Sequence, residues 1–305
     1  MDVITYLDQP GCVRLSNDTI DVIVATAVGP RVLRCGFAAG PNLLGEYPDL
    51  VTETALGPWK PLGGHRLWAA PEQMPGSYAP DDRPLTWQML DEWSISLRQN
   101  RDPSGIEKAL LVRVAPSGGR VTLQHEIRNR GRWPIEIAPW ALTIVAPGGT
   151  AVIPQPLFRS HDQQLLPVRS MALWPFTDLS DPRWRIGSRL IRLTPDPHRP
   201  APQKLGVMNE RGWCACVWPD AILVKHFDHN GRGRYPDFGS NTEVYAEGAY
   251  LELETLGCLE LLAPGEAVSH VERWSLFPGL DPLVVDDEQK LEEALVELAT
   301  AASAS

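Results

Sequence analysis

The sequence predicts an all-β protein with one helix at its end. Short apolar or alternating runs are separated by turn residues, and 29 prolines and 25 glycines interrupt the 305-residue chain, which is typical of antiparallel sheets. Between residues 120 and 129, every second residue from Val121 to Ile127 faces the same side. We therefore expect one packed and one solvated face there, with His125 as a core histidine on the packed face.

The same pattern predicts the other elements in order. The strand segments are residues 12–16, 19–26, 32–37, 93–99, 110–115, 120–129, 135–145, 188–193, 212–218, 222–228, 243–246, 249–255 and 267–276. A helix is predicted for 286–302, because acidic residues open it and leucines form one stripe. The proline-rich stretch 194–203 is interpreted as a surface loop rather than a linker. We therefore expect a single domain over residues 1–305.

Composition and charge exclude several classes of protein. Hydrophobic residues make up 43% of the chain, enough for a packed core, and the formal net charge is −10 without basic runs, so nucleic acid is not an expected partner. Five cysteines in a chain of this length do not form a disulfide framework. With no signal-like leader and no membrane-length apolar run, we expect a soluble cytoplasmic protein.

Two segments concentrate the chemistry. Residues 63–72, GGHRLWAAPE, place His65, Arg66, Trp68 and Glu72 behind a Gly-Gly turn. Residues 241–257, NTEVYAEGAYLELETLG, form a predicted strand pair whose alternation puts Tyr250, Glu252 and Glu254 on one face. Like charges on a buried face repel, so we expect that face either to be solvated or to bind a ligand.

These segments resemble the galactose mutarotase-like superfamily. The resemblance rests on the order of an N-terminal sheet, GGHRLW at 63–68, HEIRN at 125–129, APW at 138–140, and LELETLG at 251–257 followed by LLAPGEAVSHVERWSLF. GGHRLW, APW and LELETLG are recurrent in one bacterial branch of that superfamily. The resemblance implies a β-supersandwich of two large antiparallel sheets whose concave surface holds a carbohydrate, although a fold alone does not establish an activity.

The resemblance also implies catalytic roles. Aldose epimerases use a glutamate base on a late strand, which Glu254 matches, with Glu252 beside it, and an arginine on the sugar hydroxyls, which Arg66 matches. The family's acid histidine is missing from residues 137–142, IAPWAL. We expect His65 to replace it as general acid, and Trp140 to stack on the sugar.

Further sugar contacts are expected from residues near these segments. Trp68 and Glu72 lie after Arg66 in the same segment, Asn241 and Glu243 lead into the site strand, and Lys225 lies in LVKHFDH. Together the candidates are two catalytic residues, Glu254 and His65, and eight substrate-binding residues, Arg66, Trp68, Glu72, Trp140, Lys225, Asn241, Glu243 and Glu252.

Each candidate also has a structural interpretation. The segment from His65 could be a tight crossover in which Arg66 pairs with Glu72 and Trp68 is core. The glutamates of the late strand could be solvated charges. The segment LVKHFDH could supply metal ligands, although alternation places His226 and Asp228 on the face opposite Lys225. Cys214 and Cys216 are better explained as buried thiols. We expect neither a metal nor a cofactor.

Two classes of function are compatible with the sequence. The first is an aldose epimerase or mutarotase using general acid/base catalysis, and the second is a sugar-binding protein without catalysis. The missing histidine favours the second, and the concentration of Glu243, Glu252, Glu254 and His65 favours the first. A glycosidase is a third interpretation. In each case the expected partner is a monosaccharide or short glycan, and the sequence does not predict the oligomeric state.

Overall fold

The computed structural model describes residues 2–303. Strands hold 48% of residues and helices 7%, which confirms the predicted all-β class. The strands, in chain order, are β1 (Asp2–Tyr6), β2 (Gln9–Ser16), β3 (Ile20–Ala25), β4 (Arg31–Phe37), β5 (Glu46–Tyr47), β6 (Thr52–Thr54), β7 (Gly57–Trp59), β8 (Leu62–Gly63), β9 (His65–Ala70), β10 (Thr86–Asp91), β11 (Ser94–Arg98), β12 (Ile106–Val114), β13 (Arg120–Asn129), β14 (Ile135–Ile144), β15 (Thr150–Pro154), β16 (Met171–Leu173), β17 (Trp184–Ile186), β18 (Leu190–Leu193), β19 (Gln203–Val207), β20 (Trp213–Val217), β21 (Ala221–Phe227), β22 (Thr242–Glu247), β23 (Tyr250–Leu256), β24 (Glu260–Leu262) and β25 (Ala267–Pro278).

Two large antiparallel sheets are packed face to face. Sheet I has the order β1-β2-β3-β4-β9-β14-β23-β22-β19-β16, with β24 also paired to β14, and sheet II has the order β10-β11-β12-β13-β25-β21-β20-β15-β18-β17. The main core lies between them, where residues such as Val22, Leu123 and Leu253 are buried. Two hairpins, β5 with β8 and β6 with β7, belong to neither sheet. This is the predicted sandwich of two sheets.

A helix covers the outer face of sheet II. A turn at Pro236–Gly239 (α1) and a short helix at Pro282–Val285 (α2) precede α3 (Glu288–Ser303), which confirms the predicted C-terminal helix. The Asp287 carboxylate accepts the amide protons of Gln289 and Lys290, a typical N-cap. Apolar side chains four residues apart on α3, including Leu291 and Leu295, then pack on the sheet. No described helix has the length and apolar character needed to cross a membrane.

The Gly-Gly pair at residues 63 and 64 allows β9 to enter the centre of sheet I. Both glycines have positive φ, 98° and 70°. A Cβ at Gly63 would lie 2.0 Å from the Gly45 carbonyl oxygen, and one at Gly64 would lie 2.1 Å from that of Val32. Only glycine fits both the dihedrals and this close approach. The turn thus places His65–Ala70 as a central strand between β4 and β14.

Candidate functional site

The centre of sheet I carries a polar and aromatic cluster on its outer face. Strand pairing places Arg66 beside Leu142 and Leu142 beside Glu254, and directly paired residues point to the same side of a sheet. The same registers align Trp68 with Trp140, and Glu254 with Glu243. The outer cluster, as we name it, consists of Arg66, Trp68, Trp140, Lys204, Glu243, Glu252 and Glu254. It brings together six of the ten predicted site residues and adds Lys204.

Lys204 links two carboxylates of the outer cluster. Its Nζ lies 2.9 Å from Glu243 Oε2 and 3.1 Å from Glu254 Oε2. The Nε1 of Trp140 donates to the same Glu254 oxygen at 2.8 Å, and the ammonium lies 4.5 Å from the Trp140 ring centroid. Burial raises the pKa of both glutamates, against the lowering effect of Lys204. Lys204 is thus the single cation paired with two buried carboxyl groups, and the repulsion between two negative charges makes it difficult for both to ionise.

Arg66 forms the second charged pair. Its Nη2 donates to Glu252 Oε1 at 2.7 Å, and the Tyr250 hydroxyl donates to that oxygen at 2.6 Å. The guanidinium carbon lies 5.2 Å from the Trp59 ring and 4.8 Å from the Trp68 ring, distances at which cation–π attraction is significant. Arg66 therefore pairs with Glu252, and not with Glu72 as the structural interpretation proposed.

Aromatic side chains surround the outer cluster. Trp59, Trp68 and Tyr78 form edge contacts with ring centroids 4.6 to 5.4 Å apart. Lys204 lies 4.6 Å from the Trp174 ring on its other side. Phe176, 41% exposed, packs on Tyr245 with centroids 6.4 Å apart. The charged groups thus lie among aromatic rings, of which Trp59 and Trp68 are buried and Tyr78 and Trp174 are half-buried.

Several buried atoms of the outer cluster have no hydrogen-bond partner within residues 2–303. They are Nε and Nη1 of Arg66, Oε1 of Glu254, and both carboxylate oxygens of Glu243, although Glu243 Oε2 forms an ion pair with Lys204. Buried polar atoms are usually satisfied, because leaving one unpaired costs about 1–3 kcal/mol. Unpaired donors and unpaired acceptors on one face are expected of a binding site whose ligand has both hydrogen-bond acceptors and hydrogen-bond donors.

Two predicted site residues, His65 and Lys225, lie between the two sheets, away from the outer cluster. His65 pairs with Thr143, one position away from the Arg66 row, and alternation turns it toward sheet II. Lys225 belongs to sheet II, is fully buried, and binds Thr143, Glu272 and the Leu253 carbonyl. The structure therefore places His65 and Glu254 on opposite faces of sheet I, and it does not bring Lys225 to the outer cluster.

These two residues belong to a second polar cluster between the sheets. This inner cluster consists of His65, His125, Thr143, Lys225, Thr255, His270, Glu272 and Trp274. The Glu272 carboxylate lies 2.8 Å from Lys225 Nζ and accepts hydrogen bonds from the Thr255 hydroxyl and Trp274 Nε1. The Lys225 ammonium holds the pKa of Glu272 far below its usual range, although burial alone would raise it. Its charges are thus balanced inside the protein.

Hydrogen bonding fixes the tautomers of two inner histidines. Lys225 donates to the Thr143 oxygen at 2.7 Å, and that oxygen is 2.9 Å from His65 Nδ1. His125 Nδ1 donates to the His270 carbonyl at 3.0 Å, which leaves His125 Nε2 as acceptor for His65 Nε2 at 2.7 Å. Burial lowers the pKa of both imidazoles, in agreement with neutral rings. His125 is thus placed in the interior, as expected.

His65, His125 and Glu272 are also a candidate metal group. Their ligand atoms lie within 4.8 Å of one another. Two imidazole nitrogens on one tetrahedral zinc ion are roughly 3.3 Å apart, whereas these are 2.7 Å apart and hydrogen-bonded. Lys225 already supplies the positive charge next to Glu272. The geometry therefore fits a hydrogen-bonded network better than a metal site.

Two other predicted contacts lie at the margin. Glu72 is exposed and accepts a hydrogen bond from the Tyr78 hydroxyl, so it lies at the rim of the aromatic surround. Asn241 accepts from the Asn209 amide at 2.7 Å and donates to its carbonyl at 3.1 Å. Because both ends of its side chain bind the backbone of Asn209, Asn241 holds the loop before β22.

The sequence analysis missed Lys204, Trp59 and Trp174. Lys204 lies on β19, which starts at the end of the stretch interpreted as a loop, and its five residues are too few for a clear alternation. Gly206 on the same strand would place a Cβ 3.3 Å from Glu243 Cγ. Gly206 pairs with Glu243 across the two strands, but this register is not visible in the sequence, so no sequence signal identified Lys204.

Comparison with known proteins supports the fold. No protein-family model matches the chain, and no curated protein matches its sequence. Among solved structures it is similar to a galactose mutarotase-like protein from Lactobacillus casei (10% identity, 88% of this chain and 100% of that one, TM-score 0.57) and to the Slr1438 protein from Synechocystis (13%, 90% and 99%, TM-score 0.56). A third is a protein from Klebsiella pneumoniae provisionally described as an aldose 1-epimerase (13%, 98% and 86%, TM-score 0.59).

Identities of this size establish the architecture alone, because one fold hosts several functions. The agreement extends over most of the chain in all three comparisons, and it matches the two-sheet arrangement described above. The chain therefore has the galactose mutarotase-like fold.

Proposed function

We propose that the protein binds an aldose on the outer cluster of sheet I and catalyses interconversion of its anomers. The observation that carries this proposal is the set of buried outer-cluster atoms that no described residue satisfies: two N–H groups on Arg66 and an oxygen on each of Glu243 and Glu254. A hydroxyl both donates and accepts, so the adjacent hydroxyls of one sugar can satisfy both kinds of atom.

The aromatic surround supports the same ligand class. Indole and phenol rings pack against the C–H face of a pyranose and bury apolar area at a low cost in side-chain entropy. Trp68 and Tyr78 adjoin Arg66, and Trp174 adjoins Lys204. Polar atoms flanked by rings on both sides are typical of carbohydrate sites.

The charge balance favours a neutral sugar. Glu243, Glu252 and Glu254 face only two cations, Arg66 and Lys204, in the described part of the outer face. A phosphate or uronate would add negative charge to a buried site that already has an excess of carboxylates, which is costly at low dielectric. We therefore expect free aldoses to bind more tightly than sugar phosphates.

Glu254 is the proposed general base. Burial raises its pKa, which makes it a stronger proton acceptor than an exposed glutamate while Lys204 and Trp140 hold one of its oxygens. The other oxygen, Oε1, lacks a partner among the described residues. That oxygen is available to take the proton of the anomeric hydroxyl, which opens the ring.

A sugar-binding protein without catalysis is the second candidate. Trp140 occupies the position at which the resemblance leads us to expect an acid histidine, and its indole donates to Glu254. A carboxylate held by two donors is a weaker base than one held by a single donor. In this alternative, Glu254 only accepts hydrogen bonds from the sugar.

Calorimetry and polarimetry on one panel separate the two candidates. Neutral aldoses and their 6-phosphates are titrated into the protein, and each pure anomer is then followed by polarimetry with wild type and Glu254→Gln. We expect at least one neutral aldose to bind and to equilibrate faster with wild type, and Glu254→Gln to lose about 10²-fold or more of that acceleration. Binding without acceleration supports the second candidate, and a panel with no binding refutes both.

A further inference from the structure

We propose that Glu243 is the proton donor that complements Glu254, so that the acid and base of the outer cluster are two carboxylates on adjacent strands joined by Lys204. The inference rests on the proposed anomer interconversion, and it assigns to Glu243 the acid role that the sequence predicted for His65. Glu243 on β22 and Glu254 on β23 are direct cross-strand partners, so their side chains extend over the same patch of the outer face.

The geometry suits two proton transfers at one carbon. The anomeric oxygen and the ring oxygen of a pyranose are both bonded to C1, so an acid and a base for these atoms must be neighbours. Lys204 Nζ contacts Oε2 of both glutamates, at 2.9 and 3.1 Å. Each glutamate keeps its Oε1 without a hydrogen-bond partner within residues 2–303. The two Oε1 atoms thus belong to neighbouring side chains whose Oε2 atoms lie beside the same ammonium.

Charge explains why one of the two carboxyls holds a proton. The groups that act on Glu243 are Lys204 on β19, Glu254 on β23 and Asp237 in α1, two acids against one base. Burial raises the pKa of Glu243 well above its usual range, the two acids raise it further, and Lys204 opposes them. Glu254 has, in addition to Lys204, the Trp140 indole as a donor. Glu252 raises the pKa of Glu254 as well, but hydrogen bonds from both Lys204 and Trp140 make Glu254 the better-stabilised anion, and Glu243 retains the proton.

Environments that push the pKa values of two neighbouring carboxyls apart identify the acid and the base. Lys204 is unsuited to be the acid, because Glu254 and Glu243 raise its pKa above the ordinary lysine value even though burial lowers it. His65 is excluded because it lies on the other side of the sheet. Glu243 is the remaining candidate donor of the outer cluster.

The step conserves atoms and electrons. Glu254 takes the proton of the anomeric hydroxyl, the C1–O1 bond becomes a carbonyl, the bond between C1 and the ring oxygen breaks, and Glu243 gives its proton to that ring oxygen. After rotation about C1–C2, Glu243 recovers the proton as the ring closes on the other carbonyl face, and Glu254 returns its proton to O1. Neither redox chemistry nor a co-reactant is needed.

The test is polarimetry of Glu243→Gln with the aldose that wild type converts fastest. Glutamine preserves the shape of the side chain but has no proton to transfer at neutral pH, so we expect kcat to fall about 10²-fold or more while the Kd stays within about threefold. Glu260→Gln, the same change at an exposed position on β24, is the matched control and should retain the wild-type rate. Circular dichroism confirms that each variant is folded.

The outcomes distinguish this inference from the proposed function. If wild type accelerates no anomer, the proposed function fails and this inference fails with it. If wild type and Glu243→Gln are equally fast while Glu254→Gln is slow, only the inference fails. The pH profile of wild type gives a second test that needs no variant. A protonated Glu243 requires the rate to fall on the alkaline side, and a rate that stays level up to pH 9 contradicts it.

Discussion

The two faces of sheet I bury two polar clusters that differ in how completely the protein satisfies them. In the inner cluster, each charged or imidazole group has a protein partner, and none of its atoms is among the buried unpaired atoms of residues 2–303. In the outer cluster, Arg66, Glu243 and Glu254 all keep unpaired atoms. The adjacent residues His65 and Arg66 of β9 belong to different clusters, His65 to the inner one and Arg66 to the outer one.

The difference indicates which cluster serves the fold and which serves a ligand. A fully bonded buried network adds rigidity and costs little once formed, whereas unpaired buried groups reduce stability. Proteins accept such a cost mainly at functional sites. The inner cluster should therefore respond to substitution through stability, and the outer cluster through ligand binding and catalysis.

Removing the buried inner ion pair should have the largest effect. Lys225→Met leaves Glu272 charged between the sheets without its cation, and breaking a buried pair in this way costs about 3–5 kcal/mol. Urea denaturation measures the loss in unfolding free energy. The matched control is Asp228→Asn, which breaks the exposed pair with Arg273 at 3.0 Å and should cost less than about 1 kcal/mol. Equal losses would contradict the assignment of the inner cluster to stability.

Acidification should destabilise the protein through the inner histidines. Burial lowers the pKa of His65 and His125, and that of His270 to about 3, so the unfolded chain binds more protons below its ordinary histidine pKa near 6.5. Their contribution is present above that pH and is lost as the pH falls toward the folded values. Each histidine then costs up to about 1.4 kcal/mol per pH unit. Urea midpoints between pH 7 and 4.5 test this, and a flat profile would refute it.

Arg66→Lys should weaken sugar binding with little effect on folding. Lysine can keep the charge opposite Glu252 but lacks the planar donors Nε and Nη1, so we expect about tenfold weaker binding, or about 1.4 kcal/mol. Calorimetry with the tightest-binding aldose measures it. His65→Asn is the control from the opposite face of β9, with lower stability but unchanged affinity at a temperature where it is folded. Loss of affinity in His65→Asn alone would reverse the assignment of the two faces.

Glu243→Gln should slightly stabilise the protein. A raised carboxyl pKa means that folding opposes ionisation, so this cost is absent at low pH and grows as the pH rises above the unfolded value near 4.3. Neutral glutamine avoids it, and we expect the melting temperature to rise by a few degrees at pH 8 but not at pH 4. A lower melting temperature at pH 8 would show that the charged form of Glu243 supports the fold.

Alternation predicted the fold class and the face of one strand of the outer cluster from the sequence. It placed Glu252 and Glu254 on one face of β23, and Leu251 and Leu253 on the other, where the structure has them. The ion pairs of these glutamates with Arg66 and Lys204 were not predicted. Both cations lie on strands that are far from β23 in the sequence, and pairing register is not visible in a single sequence. The carboxylates of the outer face are therefore buried, and ion pairs with Arg66 and Lys204 balance part of their charge.

The sequence did not predict on which face of β9 His65 lies, and the reason is physical. Both faces of β9 are buried and both carry polar or aromatic residues, so the strand lacks the hydrophobic contrast from which a face is usually assigned. Strict alternation would still have separated His65 from Arg66 and Trp68. Lys204 was missed for the opposite reason, since a lysine after a proline-rich stretch is normally exposed, whereas here it is buried between two glutamates.

A crystal structure of the protein with its tightest-binding neutral aldose tests the central claim most directly. The account predicts one sugar on the outer face of sheet I, with hydroxyls within about 3.2 Å of Arg66 Nε or Nη1 and of the Oε1 atoms of Glu243 and Glu254, and an unchanged inner cluster. A sugar bound elsewhere, or one that leaves those atoms unpaired, would contradict it.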